Sequence, residues 1–311
     1  LCKWGQGNHV VTSADAKQLG ELQGLFQIIV ADMPCSGEGM FRKAPDAIGE
    51  WSLSNVDLCT DRQKRIAHDI WPSLAEGGVM IYSTCTYNRY ENEDNVNYIA
   101  TELGANIIEF DFPESLGIIE VEPGKYRMLP SHTQGEGFFF AILQKTSKTR
   151  LRLPKVGRIK PSKNLPDFLR GEFFGYDLQE GLMIVKNGKW NDYYFNLPAL
   201  LPGIKQTGVN AGQLIKNQWK THPEYDLLAD KTVNYPLYDL TIDEALQYYK
   251  REFLSIQSAQ KGISGLRWNS ISLGTANAVN NGFNNLWPMN WRIIQSKIQA
   301  NSLLIERPVK P

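Results

Sequence analysis

Apolar positions in the first half of the chain alternate between short solid runs and helical stripes. Phe26-Gln27-Ile28-Ile29-Val30-Ala31 is a nearly continuous apolar run, the mark of a buried parallel strand. From Asn55 to Leu74 the spacing is helical, with Val56, Leu58, Cys59, Ile66, Ile70 and Leu74 on one side. Ser54 or Asn55 is placed to cap this helix, and Glu76-Gly77-Gly78 ends it. Val79-Met80-Ile81-Tyr82-Ser83 predicts the next strand, Glu91 to Leu103 another helix ended by Gly104, and Gly137 to Gln144 a strong strand. This βαβ rhythm predicts an open, mostly parallel sheet with helices on both faces.

The pattern then changes. Residues 148–163 are basic with spaced prolines and read as a linker. Beyond it, strands are short and turns frequent, with Lys186-Asn187-Gly188-Lys189 as a hairpin turn. Thr241 to Leu254 reads as one helix, opened by Thr241 and Glu244 as a capping box, and short strands return from Gly262. There is no internal repeat. The division expected is an α/β domain over 1–147, a linker and connecting α+β region over 148–235, and a small β-rich module over 236–311.

Composition adds bounds. The 311 residues suit about two domains. No apolar run approaches the ~18 residues of a membrane span, and no signal peptide opens the chain. Leu1-Cys2-Lys3-Trp4 has no starting Met and runs almost at once into an apolar patch, which reads as a cut through a domain. Cys2, Cys35, Cys59 and Cys85 form no CxxC pair, which argues against a zinc site or a disulfide framework and favours a reducing cytoplasm. The net charge of zero hides an asymmetry. Residues 1–150 hold 13 Lys and Arg against 20 Asp and Glu, giving −7, and residues 151–311 hold 20 against 13, giving +7. The basic half suits either a polyanion partner or plain solvated lysines.

The chemistry-bearing residues sit at two strand ends. Asp32-Met33-Pro34-Cys35-Ser36-Gly37-Glu38-Gly39 follows the first strand, and Ser83-Thr84-Cys85-Thr86 closes the second. Ligands in open α/β sheets bind outside the carboxyl ends of strands. If the two strands pair, ~4.8 Å apart, both thiols and the Asp32 carboxylate converge on one cleft. Arg42 and Lys43 follow closely and favour a thiolate. Cys2 and Cys59 read as small buried hydrophobes. Two thiols and an acid suit covalent catalysis on a cytosine. A thiolate adding at C6 makes C5 nucleophilic, an acid at the N3 edge takes up developing charge, and a second thiol assists loss of the C5 proton or release of the adduct.

Asp32 to Gly39, Ser83 to Thr86 and Glu91-Asn92-Glu93 together resemble the Sun/RsmF family of RNA cytosine-5 methyltransferases. The likeness extends through Phe41-Arg42-Lys43, Arg62-Gln63-Lys64-Arg65-Ile66, Tyr82 to Asn88 and Gly135-Glu136-Gly137-Phe138-Phe139, covering most of residues 8–145. It implies a Rossmann-like class I methyltransferase sheet, incomplete here, followed by a mixed region and a PUA-like module. It implies S-adenosyl-L-methionine as cofactor and RNA, small-subunit ribosomal RNA in particular, as substrate, for a monomer needing neither membrane nor metal. It assigns Cys85 as nucleophile, Cys35 to product release, Asp32 as the acid, Asp15, Asp32 and Pro34 to the cofactor, and Arg42 and Lys43 to RNA. The plain reading of Asp15 is a turn or helix cap.

The chain departs from the family in three places. The family's Gly-rich loop and ribose-binding acid are not among its residues, so the resemblance implies half a cofactor site and an inactive fragment. His132 follows Pro130-Ser131 rather than directly following proline. The stretch from Gly282 to Ile293 resembles the close of the PUA-like module, but Asn277 and Gly282 are neutral where relatives tend to place basic residues. Trp268, Trp287, Trp291 and Phe283 suit base stacking or, with more weight, the core of a small barrel. Two rival functions stand beside this one: an RNA-binding module on a non-catalytic methyltransferase-like scaffold, and a thiol hydrolase with His132 as base.

Overall fold

The computed structural model describes residues 3, 5–154, 160–170, 172–178, 181–186, 197, 199–216, 218–229, 231, 235–256 and 260–294. The chain divides into two compact units, residues 14–155 and residues 1–13 with 156–311. The first 13 residues thus group with the later part of the chain, because β1 (Val10–Thr12) pairs antiparallel with a strand at Ile204–Thr207. The sequence boundaries had placed them at the head of the α/β domain. Cys2 and the turn residues 187–189 lie outside the described residues.

In chain order, the unit over 14–155 contains α1 (Ala16–Gly20), β2 (Phe26–Asp32), α2 (Ala47–Glu50), α3 (Leu53–Ile70), β3 (Leu74–Thr84), α4 (Glu93–Glu102), β4 (Ala105–Ile108), β5 (Ile118–Glu122), β6 (Lys125–Met128) and β7 (Phe138–Lys145). Its sheet runs β2-β3-β7-β6-β5, with β4 also on β7. Only β2 and β3 pair in parallel. β7 runs antiparallel to β3, β4 and β6, so the sheet is mixed where the rhythm predicted mostly parallel strands. Ile29 of β2 and Met80 and Tyr82 of β3 pack against Ala67 of α3 and Val96 and Ile99 of α4 in one core. On the opposite face of β2, Ile28 and Val30 are 62% and 69% exposed. Among the described residues, helices therefore cover this part of the sheet on one face, not both.

α3 starts earlier and stops sooner than its apolar stripe suggests. Ser52 is the cap, accepting from the Asn55 N–H, rather than Ser54 or Asn55. The helix ends at Ile70, where Trp71-Pro72-Ser73 tightens into a 3-10 turn, since proline lacks the N–H to continue it. Buried Lys145 donates to the carbonyls of Trp71 and Leu74, both at 2.9 Å. β3 consequently begins at Leu74, and a register shift between Phe26 and Ile28 absorbs its polar start.

The second unit is β-rich. β8 (Phe173–Leu178), β9 (Gly181–Lys186), β11 (Val209–Ile215) and β12 (Gln218–Thr221) form one antiparallel sheet, and β10 (Ile204–Thr207) pairs with β1. After the helical turn α5 (Pro223–Asp226), β13 (Leu237–Asp239), β14 (Gly262–Trp268), β15 (Ile271–Val279) and β16 (Gly282–Asn285) form a second sheet packed by α6 (Ile242–Lys250). Phe283 and Trp287 are buried in that sheet's core, with Trp268 and Trp291 packed against it, so these aromatics serve the core rather than an open face. The predicted capping box is present, but α6 ends at Lys250 because Arg251 turns left-handed at φ 68°. Thr241→Ala removes one orphan N–H acceptor and is expected to destabilise the module by about 1 kcal/mol, read from thermal unfolding. No helix among the described residues is long and apolar enough to cross a membrane.

Candidate active site

Parallel register sets the site. Asp32 at the end of β2 lies opposite Ser83 near the end of β3, and the Met33 N–H donates to the Ser83 carbonyl at 2.8 Å. The two chains then diverge into loops that bend back together. Gly39 donates its N–H to the Cys85 carbonyl at 2.8 Å, and Gly37 takes a left-handed φ of 76° that turns the first loop. An added Cβ at Gly39 would lie 2.5 Å from the Cys85 carbonyl oxygen and 2.9 Å from that of Glu136. As a result Cys35 Sγ and Cys85 Sγ stand 3.3 Å apart, both half-buried.

The contact polarises the pair. Hydrogen bonding from the Cys35 thiol brings Cys85 down to about 7, against opposition from burial and from the Asp32 and Glu91 charges. The same contact, with burial, pushes Cys35 far above the ordinary thiol range. As pH rises through about 7 the site therefore gains a thiolate on Cys85 that accepts from the neutral Cys35 thiol. A lowered pKa populates the thiolate above it, so the rate of alkylation by iodoacetamide is expected to rise through about pH 7. Cys35→Ala removes the donor and is expected to move that midpoint upward, as measured by peptide mass spectrometry across pH.

Buried polar groups hold the backbone on either side of Cys85. Thr84 Oγ1 donates to Asn92 Oδ1 at 2.5 Å, and Asn92 Nδ2 donates to the Thr86 carbonyl at 3.0 Å. Glu38 bridges the loops, accepting from the Tyr87 N–H at 2.7 Å and Trp51 Nε1 at 3.1 Å. Sequence reasoning overlooked Glu38 and the contact at Gly39, although both stand in the Gly-x-Gly run it singled out.

Asp15, Asp32 and Pro34 line one cavity of about 650 Å³, together with Ile66, Ile70 and Arg65. Asp15 is also the helix cap of the plainer reading. It accepts from the Gln18 N–H at 2.9 Å, and Gln18 answers it in a capping box. Arg42 is not the group that favours the thiolate. Its Nε lies 3.1 Å from Glu136, and its Nη2 donates to the Gly135 carbonyl at 2.9 Å, so its charge is already paired. No shift of Cys85 is traced chiefly to Arg42 or Lys43; the neighbouring thiol is the largest cause. His132 Nδ1 lies 2.8 Å from Ser131 Oγ, while the cysteine sulfurs face one another, which leaves the hydrolase pairing without a contact. Cys59 is buried in α3, as a small hydrophobe should be. Among the described residues no cluster of His, Cys, Asp and Glu is placed to hold a metal ion.

Two family models match this chain. Residues 2–144 match the one described as 16S rRNA methyltransferase RsmB/F, which spans both cysteine loops. Residues 235–293 match the methyltransferase RsmF PUA domain, which covers the sheet from β13 to β16. Among similar curated proteins, ribosomal RNA small subunit methyltransferase F of Shewanella halifaxensis is 34% identical over 53% of this chain and 35% of its own. That of Salmonella arizonae is 37% identical over 47% of this chain and 32% of its own. The matched part of the chain thus spans about a third of the length of these RsmF relatives. A solved structure of NSun6 from Pyrococcus horikoshii with SFG is 27% identical, overlapping 43% of this chain and 34% of its own with a TM-score of 0.36.

Proposed function

We propose that this chain carries the catalytic thiols of an S-adenosylmethionine-dependent RNA cytosine-5 methyltransferase acting, as a monomer, on small-subunit ribosomal RNA. One observation carries the reading: the Cys35 and Cys85 sulfurs stand 3.3 Å apart beyond the ends of adjacent parallel strands. The RsmB/F match and the names of the curated relatives support it.

The cavity's chemistry fits the cofactor. Asp15 and Asp32 offer carboxylates to amine and hydroxyl donors, while Pro34, Ile66 and Ile70 offer apolar surface. S-adenosylmethionine, when bound, supplies the electrophilic methyl that C5 takes up. The Cys85 thiolate forms a bond to C6 of a cytosine extruded from its stack, and the ring electrons shift toward C5 and N3. Asp32, beside the site, is the acid proposed for the N3 edge: it delivers a proton to N3 as that charge collects and takes it back when the ring is restored. Cys35 begins as a neutral thiol, raised chiefly by its contact with Cys85. Once Cys85 is a thioether that cause is gone, and Cys35, having given its own proton to solvent, takes the C5 proton as a thiolate. Loss of that proton returns the electron pair to the C5–C6 bond and expels the Cys85 thiolate. The PUA module and the +7 charge of residues 151–311 supply phosphate contacts. Arg42 and Lys43 are proposed as lesser ones.

The test uses a longer protein in which these residues follow the family's Gly-rich loop, with S-adenosylmethionine carrying a labelled methyl, followed by nuclease digestion of the RNA. Label in 5-methylcytidine is the expected result. RNA binding that weakens with salt but leaves no label would favour the non-catalytic scaffold.

A further inference from the structure

We propose that Glu91 is a positioning residue for the two thiols, its buried carboxylate tying the loop that carries Cys35 to the loop that carries Cys85. This role presupposes the two-thiol site proposed above. Glu91 lies between β3 and α4 and is 0% exposed. Its Oε2 accepts from the backbone N–H of Ser36, the residue after Cys35, at 2.9 Å. The same oxygen accepts from Gln63 Nε2 at 3.0 Å, and that amide also donates to the carbonyl of Pro34, the residue before Cys35, at 2.9 Å. Its Oε1 accepts from Asn88 Nδ2 at 2.7 Å, three residues after Cys85. Asn88 Nδ2 also reaches Thr86 Oγ1 at 3.1 Å and Ser36 Oγ at 3.3 Å, and those two hydroxyls stand 3.1 Å apart. The Glu91 main chain is held as well, its N–H donating to Asn88 Oδ1 at 2.9 Å and its carbonyl accepting from Tyr82 Oη at 2.6 Å. One side chain thus grips both flanks of Cys35 and the loop behind Cys85.

The choice of a carboxylate follows from the donors. Three N–H groups converge on it, and a carboxylate accepts at both oxygens. A glutamine in its place would turn its own NH₂ toward one of these N–H groups, donor against donor. No lysine or arginine among the described residues forms an ion pair with Glu91. A buried anion without a cation carries a heavy desolvation penalty, offset here only by charge-assisted hydrogen bonds. A residue serving packing alone would need no charge. This one also opposes the Cys85 thiolate, since its field raises the Cys85 pKa. What it contributes is position, because it keeps the Cys35 donor on Cys85.

Two readouts separate position from field, and both use the full chain with Cys2→Ser and Cys59→Ala so that only two thiols remain. The probe is dithiobis(nitrobenzoate). Cys85 thiolate attacks one of its sulfurs, forming a mixed disulfide and expelling one nitrothiobenzoate anion. Cys35 then loses its proton to buffer and attacks the Cys85 sulfur, forming a Cys35–Cys85 disulfide and expelling the second anion. In the parent chain the second release should follow the first rapidly. In Glu91→Gln it should slow roughly tenfold or more, as displacement of a reacting group by an ångström does. The second readout is the pH midpoint of the first release. The charged and titratable groups acting on Cys85 are Cys35, Asp32 and Glu91, and Cys85 in turn bears on Tyr87. Losing only the Glu91 field would lower the midpoint, whereas losing the Cys35 donor raises it, so an upward shift is expected. Second release at the parent rate, or a downward shift, would overturn the proposal. If circular dichroism shows Glu91→Gln unfolded, Asn88→Ala decides: it removes one donor of three, should slow closure severalfold, and an unchanged rate would overturn the proposal. Neither readout involves RNA or S-adenosylmethionine. A protein that transfers no methyl yet shows this dependence would refute the functional reading and leave the role of Glu91 standing.

Discussion

Cys85→Ala should abolish both turnover and any covalent protein–RNA species, while Cys35→Ala should stop turnover yet let the covalent species accumulate. The asymmetry follows from the state of the two sulfurs. Cys85 is the sulfur whose pKa is lowered, to about 7, by its neighbour's proton, and Cys35 is the one whose pKa is raised. Without Cys85 no bond to C6 forms. Without Cys35 addition is slowed, because the donor that lowers Cys85 is gone, but it still proceeds, and nothing then takes the C5 proton. The adduct should be visible on a denaturing gel with substrate RNA and S-adenosylmethionine, and its yield in Cys35→Ala should rise with pH as more Cys85 ionises. The reverse pattern, an adduct in Cys85→Ala and none in Cys35→Ala, would exchange the two roles. Loss of the adduct in both would leave Cys35 with the shaping of the pocket alone.

Gly39→Ala should be nearly as damaging without touching either sulfur. The new methyl would meet two main-chain carbonyls, of Cys85 at 2.5 Å and of Glu136 at 2.9 Å, and neither is the free end of a flexible side chain. The loops must part, breaking the Gly39 N–H bond to the Cys85 carbonyl. Overpacking of this kind costs about 1–3 kcal/mol of stability, and the displaced thiols should form adduct roughly a hundredfold more slowly. Gly37→Ala is the control. Its added Cβ has open space, with nothing within 4 Å, so only the left-handed φ of 76° opposes it. That strain is about 1–2 kcal/mol. A Gly39→Ala protein with adduct kinetics equal to those of Gly37→Ala would show that the close approach of the loops does not matter to the chemistry.

The pairing of the two thiols could be read from the sequence because it depends on local facts. A solid apolar run marks each strand, each cysteine follows a strand end, and adjacent strands bring their ends together. The capping box at Thr241 and Glu244 and the stop at Gly104 were readable for the same reason, being settled within one helical turn. What depends on distant partners was not. The Gly-Gly pair inside β3 reads as a break, and only its neighbours in the sheet make Leu74 the start of a strand. The antiparallel course of β7 leaves no mark on its apolar run. Val10–Thr12 looks like any short strand, and its partner lies nearly 200 residues away. Arg42 beside the thiols promised a cation for the thiolate, but Glu136, brought in from far along the chain, neutralises it. Glu91, Gln63 and Asn95 are polar positions to which periodicity gives no partner, yet all three are buried. Polar residues inside a network have the same composition as polar residues in water, so periodicity alone cannot separate them.

The central claim is that Cys85, with Cys35 as its partner, forms the bond to the base. RNA carrying 5-fluorocytidine tests it directly, because addition and methyl transfer leave fluorine where a proton would depart, and release is blocked. Proteolysis of the trapped protein and mass spectrometry of the peptides should find the methylated nucleotide on the peptide containing Cys85, with Cys35 unmodified. The nucleotide on Cys35, or no trapped peptide from a protein that nonetheless methylates cytidine, would contradict the account.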